Sequence, residues 1–460
     1  MPRPVVAVVG AGFSGLLTTL NILRLDPDVQ VRLIEKRGVF GLGPAYATAN
    51  PKHLLNVRLG HMSAFPDQPH HLTDWMARQT SWSARDDFIS RGTYGQYLAH
   101  LLEEVTQDES RKNRLSLVSG AVAGIRPEGA GWRLALDGRE PLAADAVVLA
   151  QGNLNPASPA GLEPGLARSG HYIANPWDAA ETVPPHAHNI LLIGAGLTMV
   201  DVALTLKGPG RRFSAISRRG LLPRSHGSSQ VPPPSRSFSG GPAQVLRQAR
   251  AAMAGEDWRA VVDDVRHSAR SLWASWSPVE RGRFLRHLRA LWENHRHRLA
   301  PGVAREVAAM LTDESLTIEA GHVLGLRQAP HGVAVDIRPR GERTPGPRLF
   351  DAVVNCSGPA EDVSQSPDPL IRDLLAQGQV AAAPLGLGLA IDEAGRLKNA
   401  AGSAQARLFA VGPLTRSLFW EASAVPDLRH QALFIAQGVL ASLERPVPAH
   451  DRAIEAVSFS

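Results

Sequence analysis

A short glycine-rich turn between a buried strand and a helix constrains this chain most strongly, and the sequence contains it twice. The first copy is VVAVVGAGFSGLL over residues 5–17, and the second is NILLIGAGLTMVD over residues 189–201. A strand, a tight turn and a helix start, in this order, form the cradle that holds a dinucleotide pyrophosphate at the helix N-terminus. We therefore expect two dinucleotide-binding modules in one chain.

The first turn has the three glycines of the Gly-x-Gly-x-x-Gly pattern. Gly10 allows the tight turn, Gly12 lets a phosphate approach the backbone, and Gly15 lets the helix pack closely on the strand. The next strand, VQVRLIEK, reaches Glu35 20 residues after Gly15. A carboxylate at this distance accepts hydrogen bonds from the ribose hydroxyls of a dinucleotide. Strand, turn, helix and acid together predict dinucleotide binding here.

The second turn has Gly194 and Gly196 but Met199 at the third glycine position. A side chain there predicts looser packing of helix on strand, or a different helix start. Aligning FSAISRRG with VRLIEKRG places Ser217 opposite the acid of the first module, followed by Arg218 and Arg219. Arginines can pair with a 2′-phosphate that a carboxylate would repel, which favours NADPH over NADH. Alternatively, both arginines belong to an exposed turn.

The two turns belong to a longer internal repeat. Residues 115–152 and 316–358 each predict a small β-meander whose final strand stops at a glycine, Gly152 or Gly358. Between them, residues 222–243 are rich in Pro, Ser and Gly and predict a loop, and residues 243–312 predict helices. An aromatic and leucine stripe in those helices predicts a helix core, formed by Trp273, Trp276, Phe284, Leu288, Leu291 and Trp292.

Composition places the chain among ordinary globular proteins. It has 460 residues, of which 44 % are hydrophobic and 20 % charged, and it has no apolar run of 18 residues that would predict a membrane span. The net charge of +6 is concentrated between residues 205 and 300, with 18 Lys/Arg against 6 Asp/Glu. That excess fits a phosphate-bearing cofactor, an acidic substrate or a solvated face. Nucleic acid is not favoured, because no nucleic-acid motif accompanies it.

Cysteine and histidine patterns exclude several kinds of site. Cys356 is the one cysteine, so an internal disulfide and a catalytic cysteine pair are excluded. The histidine pairs at 186/188 and 295/297 are spaced i, i+2, which does not place them on one helix face, and we expect no metal site. The first strand begins directly after MPR, which leaves no room for a leader peptide, so we expect a cytoplasmic protein.

These motifs resemble the flavoproteins with two dinucleotide-binding domains, which include glutathione-reductase-like enzymes and class B flavin monooxygenases. More closely, the chain resembles the bacterial FAD-NAD(P)-binding protein family. The resemblance rests on GAGFSG with Glu35, on the crossover strands DAVVLAQGN and FDAVVNCSG, on LLNVRLGHMSAFPDQP (residues 54–69) and on RLFAVGPLTRSLFWEASAVPDLRHQA. It implies an α/β fold with two Rossmann-like domains: a discontinuous FAD domain from 1–155 and 350–460, and an inserted NAD(P)H domain from 186–349 that carries the 222–312 insertion.

The turns and the resemblance together give the candidate cofactor-binding residues. For FAD they are Gly10, Gly12, Phe13, Ser14, Gly15, Glu35, Lys36, Asn56, Met62, Gly152, Gly358, Gly412 and Pro426. For NADPH they are Gly194, Gly196, Leu197, Thr198, Arg218 and Arg219. A helix starting at Pro426 would place its positive end beside the flavin and stabilise the reduced, anionic ring. An ordinary capped helix is the alternative.

The chemistry expected is hydride transfer from NADPH to the flavin, followed by one of three outcomes. A monooxygenase uses O2 to oxygenate a small molecule, a reductase or dehydrogenase inserts no oxygen, and a redox sensor controls a partner through the basic insertion. SGHYIANPWD (residues 169–178) matches a monooxygenase linker only in part and could equally be structural. Catalytic candidates are weak: Arg416, Trp420 and Glu421 precede the last helix, and Glu421 could transfer a proton or pair with Arg429.

Overall fold

The computed structural model describes residues 3–79, 88–227 and 235–444. Its strands are β1 (Val5–Val9), β2 (Gln30–Glu35), β3 (Leu115–Ser119), β4 (Val122–Glu128), β5 (Gly131–Leu136), β6 (Leu142–Ala144), β7 (Ala146–Leu149), β8 (Tyr172–Ile173), β9 (Asn189–Ile193), β10 (Arg212–Ser217), β11 (Leu316–Ala329), β12 (Gly332–Pro339), β13 (Gly346–Phe350), β14 (Ala352–Asn355), β15 (Arg396–Lys398) and β16 (Ala404–Ala410). The parts of the predicted domains and loop at 1–2, 80–87, 228–234 and 445–460 lie outside the described residues.

The helices surround these strands and include a consecutive group between β10 and β11. They are α1 (Phe13–Leu25), α2 (Gly43–Tyr46), α3 (His71–Ala77), α4 (Arg91–Gln107), α5 (Glu109–Lys112), α6 (Ala179–Thr182), α7 (Leu197–Leu206), α8 (Pro242–Met253), α9 (Trp258–Ser275), α10 (Pro278–His287), α11 (Arg289–Arg296), α12 (Pro301–Thr312), α13 (Pro369–Ala376) and α14 (Val425–Ser442).

The parallel parts of the first and second sheets have the same strand order, which confirms the internal repeat: β3-β2-β1-β7-β16 corresponds to β11-β10-β9-β14-β8. In the first sheet the order is β15-β16-β7-β1-β2-β3, and all its pairs are parallel except β15 with β16. In the second sheet the order is β13-β12-β11-β10-β9-β14-β8, and the strands from β11 to β8 are parallel. The glycine-rich turn follows the central strand each time, β1 in one sheet and β9 in the other.

The meanders are built differently from the prediction. In the first module, β3 and β7 belong to the parallel sheet, and β4, β5 and β6 alone form a separate antiparallel sheet. In the second module, β11 is 14 residues long and continues from the parallel sheet into the antiparallel part. Local alternation of apolar residues could not show which sheet each strand joins, because that depends on partners far along the chain.

Strand β14 begins just after residue 350, the domain boundary expected from the sequence. Strand β14 pairs with β9 and β8, so it extends the second sheet to Asn355. All four residues of β14 are buried, because the strand has a neighbour on each side and both of its faces are covered. By the same repeat, β7 belongs to the first sheet. The chain therefore leaves the second sheet only after β14, and it returns to the first sheet in β15 and β16.

The helical insertion packs against the segment that precedes α14. Trp273, Trp276 and Phe284 are buried together with Trp420, which confirms a helix core for these three predicted residues. The rings of Trp273 and Trp420 stack with centroids 4.7 Å apart, and the Trp273 indole Nε1 donates to the backbone oxygen of Ser417 at 2.9 Å. These contacts hold the insertion on the segment between β16 and α14.

Candidate cofactor-binding and active site

The first glycine turn is shaped by the strand beside it, except at its second glycine. Gly10 has φ +105°, and a Cβ there would lie 2.4 Å from the backbone oxygen of Ala150. A Cβ on Gly15 would lie 1.8 Å from the oxygen of Gly10. A Cβ on Gly12 would meet only the Cα of Gly43, at 3.7 Å. Packing therefore requires the first and third glycines, whereas the second leaves open space that a phosphate can enter.

A second glycine loop, which the sequence analysis did not identify, faces this turn. Gly41 has φ +91° and donates its N–H to the oxygen of Ala11 at 2.7 Å. Gly43 has φ +59°, and a Cβ on it would approach the Cα of Gly12 to 3.3 Å. The signal was present as Gly-Leu-Gly-Pro just after β2, but only the fold places this loop opposite the first turn.

Glu35 lies beside the first turn, as predicted. One of its carboxylate oxygens, Oε2, accepts a hydrogen bond from the N–H of Ala11 at 3.0 Å, and Oε1 accepts one from Arg37 at 3.1 Å. Lys36 is mostly exposed, with its Nζ 4.0 Å from Asp368. The end of β2 therefore presents a carboxylate to the space in front of the turn, where ribose hydroxyls are recognised.

The start of α1 is enclosed by aromatic rings and by a late segment of the chain. Phe13 is buried and its ring centroid lies 6.1 Å from that of Tyr46. Ser14 is buried, and a Cβ on Gly412 would lie 3.0 Å from its Oγ. The residues before α14 therefore approach the first turn, which the resemblance had implied.

The second turn repeats this geometry. Gly194 has φ +121°, and a Cβ there would lie 2.2 Å from the backbone oxygen of Cys356, whereas a Cβ on Gly196 would meet no described atom within 4 Å. Helix α7 begins at Leu197 directly after Gly196, as α1 begins directly after Gly12, and Thr198 lies in its first turn. The second module therefore has an equivalent opening at a helix N-terminus.

Met199 is accommodated without a change in where the helix starts. Its side chain is fully buried in the core of the second module. The first helical hydrogen bond, from Val200 N–H to the oxygen of Gly196, is 3.3 Å long, compared with 2.9 Å for the equivalent bond in α1.

The two arginines at the end of β10 have different surroundings. Arg219 donates through Nη2 to the backbone oxygens of Arg286 and His287, which are the last residues of α10. Arg218 is exposed, and within the described part of the chain it makes no hydrogen bond or ion pair. Of these two arginines, Arg218 is therefore the one whose guanidinium group is not bound by another described residue.

The two crossover strands and β16 are each followed by a glycine with positive φ. Gly152, Gly358 and Gly412 have φ values of +69°, +90° and +83°, so each turns the chain sharply at the end of a strand. Gly412 N–H donates to the side-chain oxygen of Gln431 at 2.8 Å, which holds this loop on α14. Pro426 lies in the first turn of α14, and among the described residues no side chain caps that helix end.

The weak catalytic candidates are held in contacts with the insertion. Trp420 is buried in the aromatic core. Glu421 accepts a hydrogen bond from the Trp292 indole at 3.0 Å and lies 3.3 Å from Arg296 Nε. Arg416 pairs with Glu361. The expected pairing of Glu421 with Arg429 was wrong. Arg296, from α11 of the insertion, pairs with this carboxylate instead.

The early candidates and the linker also have structural contacts. Met62 is buried, and its backbone oxygen accepts a hydrogen bond from Tyr94 at 3.0 Å. Asn56 accepts a hydrogen bond from His226 on its backbone oxygen at 2.9 Å, and it lines a small pocket against α7. His171 of the linker donates to the backbone oxygen of Asp351 at 2.8 Å and leads into β8, which supports the structural reading of that segment.

The environment of Cys356 does not support thiol chemistry. Cys356 is buried at the end of β14, and burial raises the pKa of its thiol well above the usual value. A buried, protonated thiol is a poor nucleophile. Among the described residues, no group of three His, Cys, Asp or Glu is arranged to hold a metal ion, and no helix is long and apolar enough to cross a membrane.

A comparison with protein families finds a match in the first module. Residues 7–154 match the model of the FAD-NAD(P)-binding family. No curated protein sequence matches the chain significantly. The predicted cofactors, FAD and NAD(P), agree with the description of the family whose model matches this domain.

Solved structures match over nearly the whole chain. An L-lysine 6-monooxygenase from Pseudomonas syringae matches with a TM-score of 0.65 and 13 % identity, covering 96 % of this chain and 100 % of its own. An ornithine N-hydroxylase from Kutzneria sp. 744 matches with a TM-score of 0.64 and 14 % identity, covering 96 % and 99 %. A thioredoxin reductase from Lactococcus lactis matches with 0.54 and 12 %, also covering 96 % and 99 %. The chain therefore has the fold of the two-dinucleotide-binding flavoproteins, as predicted.

Proposed function

We propose that this protein is an FAD-dependent, NADPH-oxidising monooxygenase that acts on a small molecule. The observation that carries the proposal is the repeated turn, in which packing closes off Gly10 and Gly194 but not the second glycine. A Cβ on Gly12 would meet only the Cα of Gly43, at 3.7 Å, and a Cβ on Gly196 would meet no described atom within 4 Å. When bound, nicotinamide supplies a hydride that the flavin accepts and passes on as electrons. Two such turns in one chain match that pair of cofactors.

The residues of this chain contribute binding and orientation. The N-termini of α1 and α7 present backbone N–H groups and positive helix ends to the two pyrophosphates. Glu35 accepts hydrogen bonds from a ribose in the first module. The N-terminus of α14, which no described side chain caps, would supply partial positive charge to a bound flavin and favour its reduced, anionic form. The insertion packs on Trp420 and would help to exclude water from a bound flavin.

Two observations favour oxygen chemistry over reduction of a disulfide. Cys356 is the one cysteine and is buried, so the chain has no thiol pair to receive electrons. The lysine and ornithine hydroxylases also match with higher TM-scores than the thioredoxin reductase. A reductase that inserts no oxygen, and an FAD/NADPH-bound redox sensor, are the alternatives that the following experiment separates.

The experiment measures NADPH oxidation, O2 uptake and H2O2 release by the FAD-loaded protein over a panel of small molecules. A monooxygenase should show O2 uptake that its substrate stimulates, with little H2O2. Equal turnover under nitrogen with an artificial electron acceptor would assign the reductase instead. Flavin reduction without turnover in either condition would assign the sensor. Failure of NADPH to reduce the bound flavin at all would contradict the whole proposal.

Arg218 should decide the preference for NADPH over NADH. We expect Arg218→Ala to raise the KM for NADPH about tenfold to 100-fold, because a charged hydrogen bond to the 2′-phosphate contributes about 1.5–3 kcal/mol. The KM for NADH should not change. The matched control is Arg219→Ala, which removes contacts to the end of α10 and should lower stability while leaving the NADPH preference intact. Unchanged NADPH preference in Arg218→Ala would contradict this assignment.

A further inference from the structure

Three arginines from different elements meet beside the N-terminus of α14. Arg266 comes from α9, Arg296 from α11 and Arg429 from α14 itself, and we call them the arginine cluster. Arg429 donates through Nη1 to the backbone oxygen of Ser63 at 3.2 Å, so the cluster also contacts the early segment of residues 54–69. The cluster therefore lies where the helical insertion meets residues 54–69 and the start of α14, the two segments that the resemblance assigns to flavin binding.

The cluster has more positive than negative charge. Arg266 lies 2.7 Å from Asp427, and Arg296 lies 3.3 Å from Glu421 and 3.9 Å from Asp427. These two carboxylates face three guanidinium groups. The nearby Asp263 does not restore the balance, because Arg298 pairs with it through two nitrogens, at 2.8 and 3.1 Å.

The neighbouring His61 ring does not change the charge balance of the arginine cluster. Burial, and next the charges of Arg266 and Arg429, lower the pKa of the His61 ring. His61 is therefore neutral at physiological pH. The cluster is left with an excess of one positive charge, in addition to the positive end of α14.

The cluster also has donors that the described residues do not satisfy. Four buried nitrogens make no hydrogen bond in that part of the chain, namely Arg266 Nε, Arg296 Nε, Arg296 Nη2 and Arg429 Nε. The two Arg296 nitrogens lie within ion-pair range of Glu421 and Asp427, at 3.3 and 3.9 Å, but without hydrogen-bond geometry. The Arg296 side chain is only 7 % exposed. Buried donors are normally satisfied, and a buried charge without full compensation is costly. Concentrated donors of this kind are what an oxyanion ligand would satisfy.

We propose that the substrate of the flavin reaction carries a carboxylate that binds to the arginine cluster. This inference rests on the proposed function, since it places the substrate beside the flavin-facing helix end. A single carboxylate neutralises the excess charge, and its two oxygens match the planar donor geometry of a guanidinium. A phosphate dianion would overcompensate the charge, and a cationic or neutral molecule would leave the donors unsatisfied.

The test uses calorimetric titration of the FAD-loaded full-length protein at constant ionic strength. The probes are benzoate and butyrate, their neutral amides benzamide and butyramide, and inorganic phosphate. We expect the carboxylates to bind at least about tenfold more tightly than the amides and more tightly than phosphate. Equal binding of acids and amides, or tighter binding of phosphate, would overturn the proposal.

Two substitutions should shift carboxylate binding in opposite directions. Arg296→Gln removes one charge and should weaken benzoate binding about tenfold or more. Glu421→Gln keeps an oxygen for the Trp292 indole but removes the competing carboxylate, and it should strengthen benzoate binding. Arg283→Gln, an exposed arginine of the same insertion, is the matched control and should change nothing. A purely structural ion-pair network predicts lower stability without opposite shifts.

The outcomes separate this inference from the proposed function. Flavin content and flavin reduction by NADPH are measured on the same samples. Failed reduction would overturn the proposed function, whereas normal reduction with no preference for carboxylates would overturn only the substrate class. If Arg296→Gln does not fold, Glu421→Gln still decides the sign, because weaker benzoate binding in that variant contradicts the proposal.

Discussion

Replacing Gly12 with valine should yield a folded protein that no longer retains FAD. The backbone at Gly12 has φ −74° and ψ −170°, which valine adopts without strain, and a Cβ there meets only Gly43 Cα at ordinary contact distance. The added side chain instead occupies the space in front of the α1 N-terminus. We expect FAD affinity to fall at least about 100-fold, the equivalent of one or two charged hydrogen bonds. Flavin absorbance after desalting and titration with FAD measure this.

The control for that substitution is Gly346→Val, which adds the same side chain at another glycine with open surroundings, in β13 of the second module. It should purify with its flavin. Circular dichroism and thermal unfolding in the absence of FAD should be alike for the two variants. A yellow Gly12→Val protein with normal FAD affinity would contradict the assignment of the first turn to the flavin.

Replacing Gly194 with alanine should damage the second module through packing rather than through ligand binding. Its φ of +121° is a conformation that L-residues rarely adopt, and the new Cβ would lie 2.2 Å from the Cys356 backbone oxygen. Backbone strain of this kind costs about 1–3 kcal/mol, and displacing β14 adds to it. We therefore expect the free energy of unfolding to fall by about 3 kcal/mol, measured as a lower urea midpoint without NADPH.

Gly196→Ala is the matched control, two residues away in the same turn. Its backbone is extended, and a Cβ meets no described atom within 4 Å, so stability should change by less than about 1 kcal/mol. The KM for NADPH should rise instead. Equal destabilisation by the two substitutions would mean that β14 does not pack on this turn as the structure has it.

Sequence patterns were sufficient for the features that depend on neighbouring residues. The glycine spacing at 10–15 and 194–196, the carboxylate at Glu35 and the helical character of the insertion were all predicted and are present. These features are local, because a turn, a strand end and an amphipathic helix are each specified within a short stretch of sequence.

Partners across the fold could not be predicted in the same way. Glu421 pairs with Arg296, which lies 125 positions earlier, rather than with Arg429 one helix turn beyond the start of α14. Arg219 donates to the last backbone oxygens of α10, a contact that the alignment of two strand ends could not show. The loop at Gly43 faces Gly12 only because β2 returns the chain to the same edge of the sheet.

The sequence by itself determined that the chain contains two dinucleotide cradles, since each is a contiguous strand, turn and helix start. Only the tertiary structure decided which strands pair within each sheet, which carboxylate meets which arginine, and that three arginines from different helices meet beside the start of α14. The physical reason is range: backbone conformation and periodicity are set by adjacent residues, whereas charge balance and close packing are set by residues that folding brings together from distant parts of the chain.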